Sequence, residues 1–561
     1  MNRTRLANCC FNPFGTEWCS NLAGVDETLE GAPMGDIYES PPRPRVDAAP
    51  NPAADQSDER RWLAWSTGAS IVVALAMRLV DLAGLPGEMY GDITIVRDYV
   101  DGIRAGHWLT DFILSSGPLY HYVIVPITWV FGVDFNALKT ASVIVSLIAL
   151  AATYALAREL VDRTVAMAAL FIAGASSWLL IFSRLGNSQI ITPVLGCGTV
   201  YFAVRAARRD DWRSAALCGA VAALGLYGYP QTFVLAPVMF VTLLVLHVTV
   251  NLRWRLLGIF TAAAIATGLP FAVIVSRHPQ DFLDGYIGGK IHARSGAFST
   301  LLDNLWHTMF AFHIRGDSVF RSNPSRLPHL DALSGLLFLI GLAWWLAPAR
   351  RRWAPALLLP LVLFQVPAMM VLGQPAEVPS ASRTLTAAPL AYVVTASGLC
   401  WLAGAVHPRA LARRTITGLL LGLILLLNGT RYFGAYADGL PNHNVPFGRI
   451  IADHLARLPT DTHAFIVGCC WGEHGQPEPK GILYLDAGPV PEHLVQLNAD
   501  TLDCVALSEL PRPAELIWKP DTVIPAPGLA GCTDQFIPEL HGEEDVDVFY
   551  SATLRSSEAA G

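Results

Sequence analysis

The stretch NALKTASVIVSLIALAATYALA, residues 136–157, decides the fold class, because its only charged residue is Lys139 near its start. An apolar run of about 20 residues has the length of a membrane-spanning helix. Similar runs recur along the chain, and they are continuous rather than alternating, which argues against a β-barrel. The predicted spans lie at about 62–84, 136–157, 163–182, 188–206, 213–229, 233–250, 256–276, 330–347, 353–372, 385–405 and 414–433.

The composition supports a membrane protein. Of the 561 residues 53% are hydrophobic and 15% are charged, against about 25% charged in soluble proteins. The net charge of -7 is uneven, since residues 434–561 hold 19 acidic and 6 basic residues. The other basic residues form short clusters between apolar runs, which excludes the basic face of a nucleic-acid-binding domain.

Loop charges predict the topology. The connections RELVDR (158–163), RAARRDDWR (205–213) and PARRRW (348–353) are basic, whereas GYPQ (228–231) and GQPAEVPSAS (373–382) are nearly free of Lys and Arg. Basic loops face the cytoplasm. Basic and neutral loops alternate along the chain only if the proline-interrupted segment 117–133 does not cross the membrane. We therefore predict about eleven spans, a cytoplasmic N-terminus and an extracytoplasmic C-terminus.

Three regions follow from these patterns. Residues 1–60, rich in Pro, Ala and acidic side chains, are predicted to form a disordered cytoplasmic arm. Residues 61–435 form an α-helical polytopic membrane domain with interfacial helices in the first outer loop, and 436–561 a small extracytoplasmic α/β domain. Its predicted elements are a helix at FGRIIADHLARLP (447–459) and strands at HAFIVGCC (463–470), GILYLDA (481–487), ELIWK (515–519) and DVDVFYSATL (545–554). In an oxidising compartment Cys504 and Cys532 could form a disulfide.

The first outer loop contains GEMYGDITIVRDYVDGIRAGHW, residues 87–108, which is rich in carboxylates for this chain. Ile93, Val96 and Val100 have helical spacing, which predicts a helix lying along the membrane surface. Asp92 stands at the start of that helix. It is either a helix cap or a general base for a reaction at the membrane surface.

Basic side chains are predicted on the same face. Arg184 in SRLGNSQ (183–189) and Arg383 in PSASRTLTAAP (379–389) could extend to the interface or bind a phosphate. The loop 277–329 adds Lys290, His292, Arg294, Arg315, Asp317 and Arg321. A carboxylate and several arginines suit transfer of a group from a lipid phosphate to a hydroxyl. We predict Asp92 as the base, Arg184 and Arg383 on the donor phosphate, and, as substrate-binding residues, Glu88, Tyr120, Gln189, Tyr229, Lys290 and Arg294.

An ordered set of segments resembles the GT-C membrane glycosyltransferases, in particular bacterial relatives of protein O-mannosyltransferases and of the lipid A aminoarabinose transferase. No single segment is specific, but their order is. The set covers about residues 62–435 and leaves the arm and the C-terminal domain unmatched. The segments are residues 86–92, RAGHW (104–108), SGPLYHY (116–122), FGVDFNALKTASVI (131–144), ARELVDR (157–163), FSRLGNSQIITP (182–193), NPSRLPHLDALSGLLFLIGL (323–342) and PSASRTL (379–385).

The resemblance implies inverting transfer of a sugar from a polyprenyl-phosphate donor to a hydroxyl acceptor, outside a bacterial plasma membrane. It places the essential acid of the first outer loop at Asp92. Two features depart from the family pattern. Ile93 follows Asp92 where many members have a Glu, and Asn187, Ser188 and Gln189 occupy a stretch where an acid is usual. We therefore expect no obligatory metal, although a divalent metal stays possible.

Two other functions stay open. Many spans with few buried polar groups also suit a transporter or lipid flippase, but the sequence shows no repeat, and most charges except Arg78 lie at span ends. A non-catalytic, glycan-binding relative is the other alternative, because a second acid is missing.

Overall fold

The apolar stretch at 136–157 forms most of a 26-residue helix, Phe135–Leu160. The side chain of Asp134 caps this helix by accepting a hydrogen bond from the amide of Ala137 at 2.7 Å. The helix packs against the three helices that follow it in the chain. It therefore lies inside the helical assembly rather than at its edge.

The computed structural model describes residues 52–107, 117–277, 279–280, 286–292, 296–468, 478–484, 494–520, 522, 532, 537–543 and 546–555. The predicted arm at 1–60 falls almost entirely outside these residues. The boundaries between arm, membrane domain and C-terminal domain stay predictions.

The described chain consists mostly of helices. In chain order the α-helices are α1 (Pro52–Leu79), α2 (Gly91–Arg104), α3 (Pro118–Phe131), α4 (Phe135–Leu160), α5 (Arg163–Ala175), α6 (Ser177–Arg184), α7 (Ile191–Arg209), α8 (Trp212–Leu224), α9 (Leu235–Val250), α10 (Trp254–Arg277), α11 (Tyr286–Ile291), α12 (Ala297–Phe310), α13 (Ala332–Leu346), α14 (Ala354–Leu363), α15 (Val366–Met369), α16 (Ala381–Thr384), α17 (Ala388–Val406), α18 (Ala410–Thr430), α19 (Ala437–Gly439), α20 (Phe447–Leu455), α21 (Glu478–Tyr484) and α22 (Cys504–Glu509).

The helices confirm a multi-pass membrane protein. Among the described residues, seven helices have the length and apolarity of a membrane span, and α5 with α6, bent by 58°, would make an eighth. The predicted number of about eleven is not confirmed, since other predicted spans coincide with shorter apolar helices such as α13. The 14 residues of α3 extend about 21 Å, which is less than the hydrocarbon thickness of a bilayer.

The helix predicted after the first span is present as α2. Its apolar side chains Ile93, Val96 and Val100 are at most 1% exposed, and the helix packs against α3 and α21. The apolar face of α2 is therefore covered by protein, and the position of α2 along the membrane surface stays a prediction. The apolar periodicity reflects packing against protein.

The C-terminal region contains the predicted sheet. Its strands are β1 (His463–Val467), β2 (Leu494–Leu497), β3 (Ala514–Trp518), β4 (Glu539–Glu543) and β5 (Val546–Leu554). They are ordered β2-β1-β3-β5-β4. The first two pairings, β1 with β2 and β1 with β3, are parallel, whereas β5 is antiparallel to both β3 and β4. Helices α20 and α21 cover one face of the sheet, and α22 lies on the other.

The helix α20 and the strands β1, β3 and β5 were predicted from the sequence. The strand predicted at GILYLDA is wrong, since residues 481–484 belong to helix α21 and 485–487 lie outside the described residues. A short apolar run does not distinguish the two states by its periodicity. Ile482 is buried against the apolar face of α20. The disulfide considered for Cys504 and Cys532 is present.

Candidate functional site

The loop between α1 and α2 is held in place from two sides. The ammonium group of Lys139, on α4, donates hydrogen bonds to the carbonyls of Ala83 and Pro86 at 3.0 and 2.9 Å. The amide of Gly87 donates to the side chain of Asn444 at 2.8 Å. A side chain at Gly87 would meet the Asn444 carbonyl at 2.8 Å, so this close approach requires glycine. The start of α2 therefore follows a fixed loop.

Asp92 lies in the first turn of α2 and forms an ion pair with Arg321. Its Oδ2 is 2.7 Å from the guanidinium, and the Asp92 side chain remains 24% exposed. The cap position belongs to Tyr90, which makes no side-chain capping bond, so the simple cap considered for Asp92 is wrong. The helix N-terminus attracts negative charge. Asp92 thus has a cationic partner and a surface that another molecule can reach.

The backbone around Arg321 packs against the start of α2. The Tyr436 hydroxyl donates to the Arg321 carbonyl at 3.0 Å. The ring of Phe320 meets the ring of Tyr90 edge-on, with centroids 5.2 Å apart. These contacts bring the loop before α13 to Asp92.

A second group of charges, the Lys290–Glu377–Arg383 cluster, combines residues from three segments. The Glu377 carboxylate accepts a hydrogen bond from Lys290 at 2.5 Å and pairs through its other oxygen with Arg383. Partial burial alone would raise the pKa of Glu377, but the hydrogen bonds and charges of Lys290 and Arg383 outweigh it and hold that pKa below its ordinary value. Two cations thus converge on one anionic group.

Lys290 and Arg383 also line an apolar groove of about 200 Å³. The other lining residues are mostly apolar: Tyr229, Pro230, Gln231, Phe233, Val234, Ile291, Val366, Pro367, Met370 and Val371. Three of the predicted site residues, Tyr229, Lys290 and Arg383, are therefore brought together. The combination of an apolar wall with two cations suits an amphiphilic anion.

Arg184 lies elsewhere, fully buried in the helical core. It donates hydrogen bonds to the carbonyls of Met77 at 3.0 Å and Asp81 at 2.5 Å. Its guanidinium also lies 5.0 Å from the centre of the Tyr432 ring. These contacts give Arg184 a set of internal partners, and they do not favour the predicted contact with a donor phosphate.

Other predicted substrate residues are also turned inward. Tyr120 is fully buried, and its hydroxyl is 2.7 Å from that of Ser142. Glu88 is buried and accepts a hydrogen bond from the amide of Gly448, near the start of α20, at 2.9 Å. Arg294 lies outside the described residues. These three assignments stay predictions.

Gln189 belongs to the stretch in which the family pattern has an acid. Among the described residues, its Oε1 and the Nδ2 of Asn187 are buried polar atoms with no hydrogen-bond partner, which is unusual for native proteins. Within the same ranges, no three His, Cys, Asp or Glu side chains group as a metal site would need.

The C-terminal domain contacts the helix that bears Asp92. Asp98, on α2, accepts hydrogen bonds from Lys480 at 2.6 Å and from the Tyr484 hydroxyl. Arg97 donates to the Tyr484 carbonyl at 2.9 Å and stacks on the Tyr484 ring at 4.2 Å. Burial, with the neighbouring Asp98, raises the pKa of Tyr484 to about 12. Helix α21 therefore fixes the orientation of α2.

Sequence reasoning missed two partners in this arrangement. In the sequence, Arg321 is one of several charges in the loop 277–329. Glu377 lies in the loop 373–382, which has few charges. Nothing in the local pattern shows that either side chain meets Asp92 or Arg383. The charge of a loop in a charge-poor chain was the only available signal.

A known sequence family matches part of the chain. Residues 115–272 match the sequence family described as dolichyl-phosphate-mannose-protein mannosyltransferase. A search of curated proteins gave no match.

The solved structures of one protein, ArnT, share the fold over most of the chain. ArnT from Cupriavidus metallidurans bound to undecaprenyl phosphate is 14% identical, with a TM-score of 0.55, covering 88% of this chain and 98% of ArnT. The apo form of the same protein gives 14% identity, a TM-score of 0.54 and the same coverage. The oligosaccharyltransferase AglB from Archaeoglobus fulgidus, in complex with an inhibitory peptide and a dolichol phosphate, is 12% identical, with a TM-score of 0.48, covering 90% of this chain and 75% of AglB. The chain therefore has the ArnT-like fold.

Proposed function

We propose that this protein is an inverting glycosyltransferase that moves a sugar from a polyprenyl-phosphate donor to a hydroxyl acceptor at the outer face of a bacterial plasma membrane. The observation that carries the proposal is the apolar groove in which Lys290 and Arg383 converge on one carboxylate. A prenyl chain is apolar and its phosphate is an anion, so one such lipid matches both properties of the groove. The ArnT structure with bound undecaprenyl phosphate gives the same lipid class in a protein of the same fold.

The phosphate of the donor would replace Glu377 between the two cations. Glu377 is 36% exposed, whereas the Lys290 and Arg383 side chains are 15% and 11% exposed. The carboxylate can therefore move toward solvent while the cations stay in place. A guanidinium binds a phosphate through two parallel hydrogen bonds, and an ammonium adds a point charge.

Asp92 would act as the general base. An acceptor hydroxyl that reaches its exposed carboxylate loses its proton to Asp92 as the hydroxyl oxygen attacks the anomeric carbon. The bond from that carbon to the phosphate oxygen breaks, and its electron pair stays on the polyprenyl phosphate. Lys290 and Arg383 stabilise this leaving group. Attack opposite the leaving group inverts the anomeric centre.

The proposal gives Arg184 no place on the phosphate, because its partners are the internal carbonyls of Met77 and Asp81. Arg383 keeps the predicted role, and Lys290 takes the second position. The expectation of no obligatory metal remains part of the proposal. Activity that a chelator abolishes and that manganese or magnesium restores would overturn it.

The experiment uses full-length protein in nanodiscs with a panel of polyprenyl-phosphate hexoses and pentoses. Cell-envelope extract serves as the acceptor, and release of polyprenyl phosphate is measured for the wild type, Arg383→Gln and Lys290→Met. We expect release with at least one donor, and a donor KM raised at least tenfold in both variants. A matched control is Arg277→Gln, at the exposed end of α10.

Release that both cation variants leave unchanged would remove the groove from the reaction. A wild type that binds the donors and releases no polyprenyl phosphate from any of them would contradict the transferase. The transporter and the non-catalytic binding protein would then be the functions to test.

A further inference from the structure

Asp317 is a buried carboxylate in the loop between α12 and α13. Its side chain is 1% exposed. Oδ1 accepts a hydrogen bond from the amide of Val319 at 2.8 Å, and Oδ2 accepts one from the amide of Ala381 at 2.7 Å. The second bond joins two segments that lie 64 residues apart in the chain. A single carboxylate thus holds its own loop and the start of α16.

The loop that contains Asp317 is itself closed by hydrogen bonds. The amide of Arg326 donates to the Asp317 carbonyl at 2.8 Å. The side-chain nitrogen of Asn323 donates to the carbonyls of Asp317 and Leu327 at 3.0 and 2.8 Å. With its main chain fixed in this way, Asp317 cannot move without moving the loop.

The two ends of this connection lead to the two halves of the proposed site. On one side Arg321, four residues after Asp317, pairs with Asp92 at 2.7 Å. On the other side Arg383, two residues after Ala381, pairs with Glu377 and lines the groove. Both guanidinium groups are close enough to Asp317 to stabilise its ionised form.

We infer that Asp317 is a positioning residue, which holds the Asp92–Arg321 pair and the Lys290–Glu377–Arg383 cluster at the separation that sugar transfer needs. This inference rests on the proposed function. The distance between base and phosphate site determines whether the acceptor oxygen meets the anomeric carbon, and a misplacement of about 1 Å can cost about 100-fold in rate.

The charge state of Asp317 gives the inference a measurable signature. Burial raises the pKa of Asp317 to about 6, although the two amides and the charges of Arg383 and Arg321 oppose the effect. Among the described residues, the charged groups that act on the Asp317 carboxylate are these two arginines, which do not titrate in this range. The carboxylates of Asp92 and Glu377 lie one ion pair further away. Below about pH 6 the carboxyl carries a proton, and one of its oxygens becomes a poorer acceptor.

The test compares wild type with Asp317→Asn and with Asp331→Asn, in nanodiscs, from pH 5 to pH 8. Asp331 is a matched buried carboxylate that caps α13 through the amide of Ser334 at 2.9 Å. The reaction is the polyprenyl phosphate release described above, expressed per correctly folded molecule. Donor binding is measured separately.

We expect wild-type kcat to fall as pH decreases through about 6. Asp317→Asn should lack this fall, with a kcat about 10- to 100-fold lower at pH 7.5, while Asp331→Asn keeps the wild-type profile. An Asp317→Asn variant with wild-type kcat, KM and pH profile would overturn the inference. The inference would also be overturned if Asp317→Asn only lowered the amount of folded protein and left kcat per folded molecule unchanged.

Failure of the proposed function looks different, since wild type itself would then release no polyprenyl phosphate. If Asp317→Asn does not fold, Ala381→Pro provides a second test, because it removes the amide that donates to Asp317 and leaves the carboxylate. Ala381 is the first residue of α16, where proline is tolerated. Wild-type kcat in Ala381→Pro would also overturn the inference.

Discussion

Replacing Glu377 by Gln should make the protein bind polyprenyl phosphate more tightly. In the structure the Glu377 carboxylate pairs with both Lys290 and Arg383, so an incoming phosphate competes with it. The substitution keeps the shape of the side chain and removes its charge. The positive charge of Lys290 and Arg383 would then be less compensated, which favours the phosphate of the lipid.

The size of the effect follows from electrostatics. A phosphate held by the same two cations would lie about 5 Å from the carboxylate, where two like charges repel by about 3 kcal/mol at an effective dielectric constant of about 20. Glu377 is 36% exposed, and solvent screening reduces this to about 1–2 kcal/mol. The expected gain in affinity is about 5- to 30-fold.

The assay is equilibrium binding of polyprenyl phosphate to full-length protein in nanodiscs, at about 0.1 M and about 0.5 M salt. The gain should shrink at high salt, because screening weakens the charge contribution. The controls are Arg383→Gln, which should weaken binding, and the double variant, which should show most of the gain from Glu377→Gln lost. Weaker binding by Glu377→Gln at both salt concentrations would refute the competition, and would mean that Glu377 helps to hold the lipid.

Three other predictions concern the surroundings of the site. Arg184→Met should lower the free energy of unfolding by about 2–3 kcal/mol, because the carbonyls of Met77 and Asp81 lose a charged donor. The donor KM of the folded protein should stay unchanged, and denaturation and kinetics on the same sample decide it. Asp98→Asn should lower kcat several-fold and expose α21 to protease, because Asp98 accepts hydrogen bonds from Lys480 and Tyr484. Protection of α21 from protease equal to that in wild type would contradict this prediction. Burial would raise the pKa of Glu515, but hydrogen bonds from His454, Thr553 and Ser551 hold that pKa below its ordinary value. The ionised Glu515 therefore stabilises the fold above about pH 4.5, and this stabilisation disappears as pH falls through the pKa of the folded state. Hydrogen exchange of β1 and β3 from pH 6 to pH 3 should show this loss in wild type and a smaller one in Glu515→Gln.

Much of the fold could be predicted because hydrophobic length and periodicity are local. The apolar run at 136–157 predicted a spanning helix, and the helical spacing of Ile93, Val96 and Val100 predicted the buried face of α2. Periodicity shows that one face of α2 is buried but not what buries it, and in the structure that face is covered by protein. Residues 481–484 belong to a helix that was mistaken for a strand, because the periodicity of a short apolar run does not distinguish the two.

The site could be predicted only in part, because its contacts join distant segments. Asp92 and Arg383 could be singled out as charges beside apolar runs. The pairing of Asp92 with Arg321, 229 positions later, depends on the packing of loops and has no local signal. Arg184 and Arg383 look alike in sequence, since both follow a Ser at a span end, yet Arg184 is fully buried among carbonyls and Arg383 lines the groove.

The role of Asp92 is the central claim, and Asp92→Asn tests it most directly. Release of polyprenyl phosphate and donor affinity are measured on the same nanodisc samples of wild type, Asp92→Asn and Asp303→Asn. Asp303 is an exposed carboxylate on α12, and it serves as the matched control. We predict that Asp92→Asn binds donor as wild type does but releases polyprenyl phosphate at least about 100-fold more slowly, while Asp303→Asn is unaffected. Equal release from Asp92→Asn and wild type would contradict Asp92 as the base.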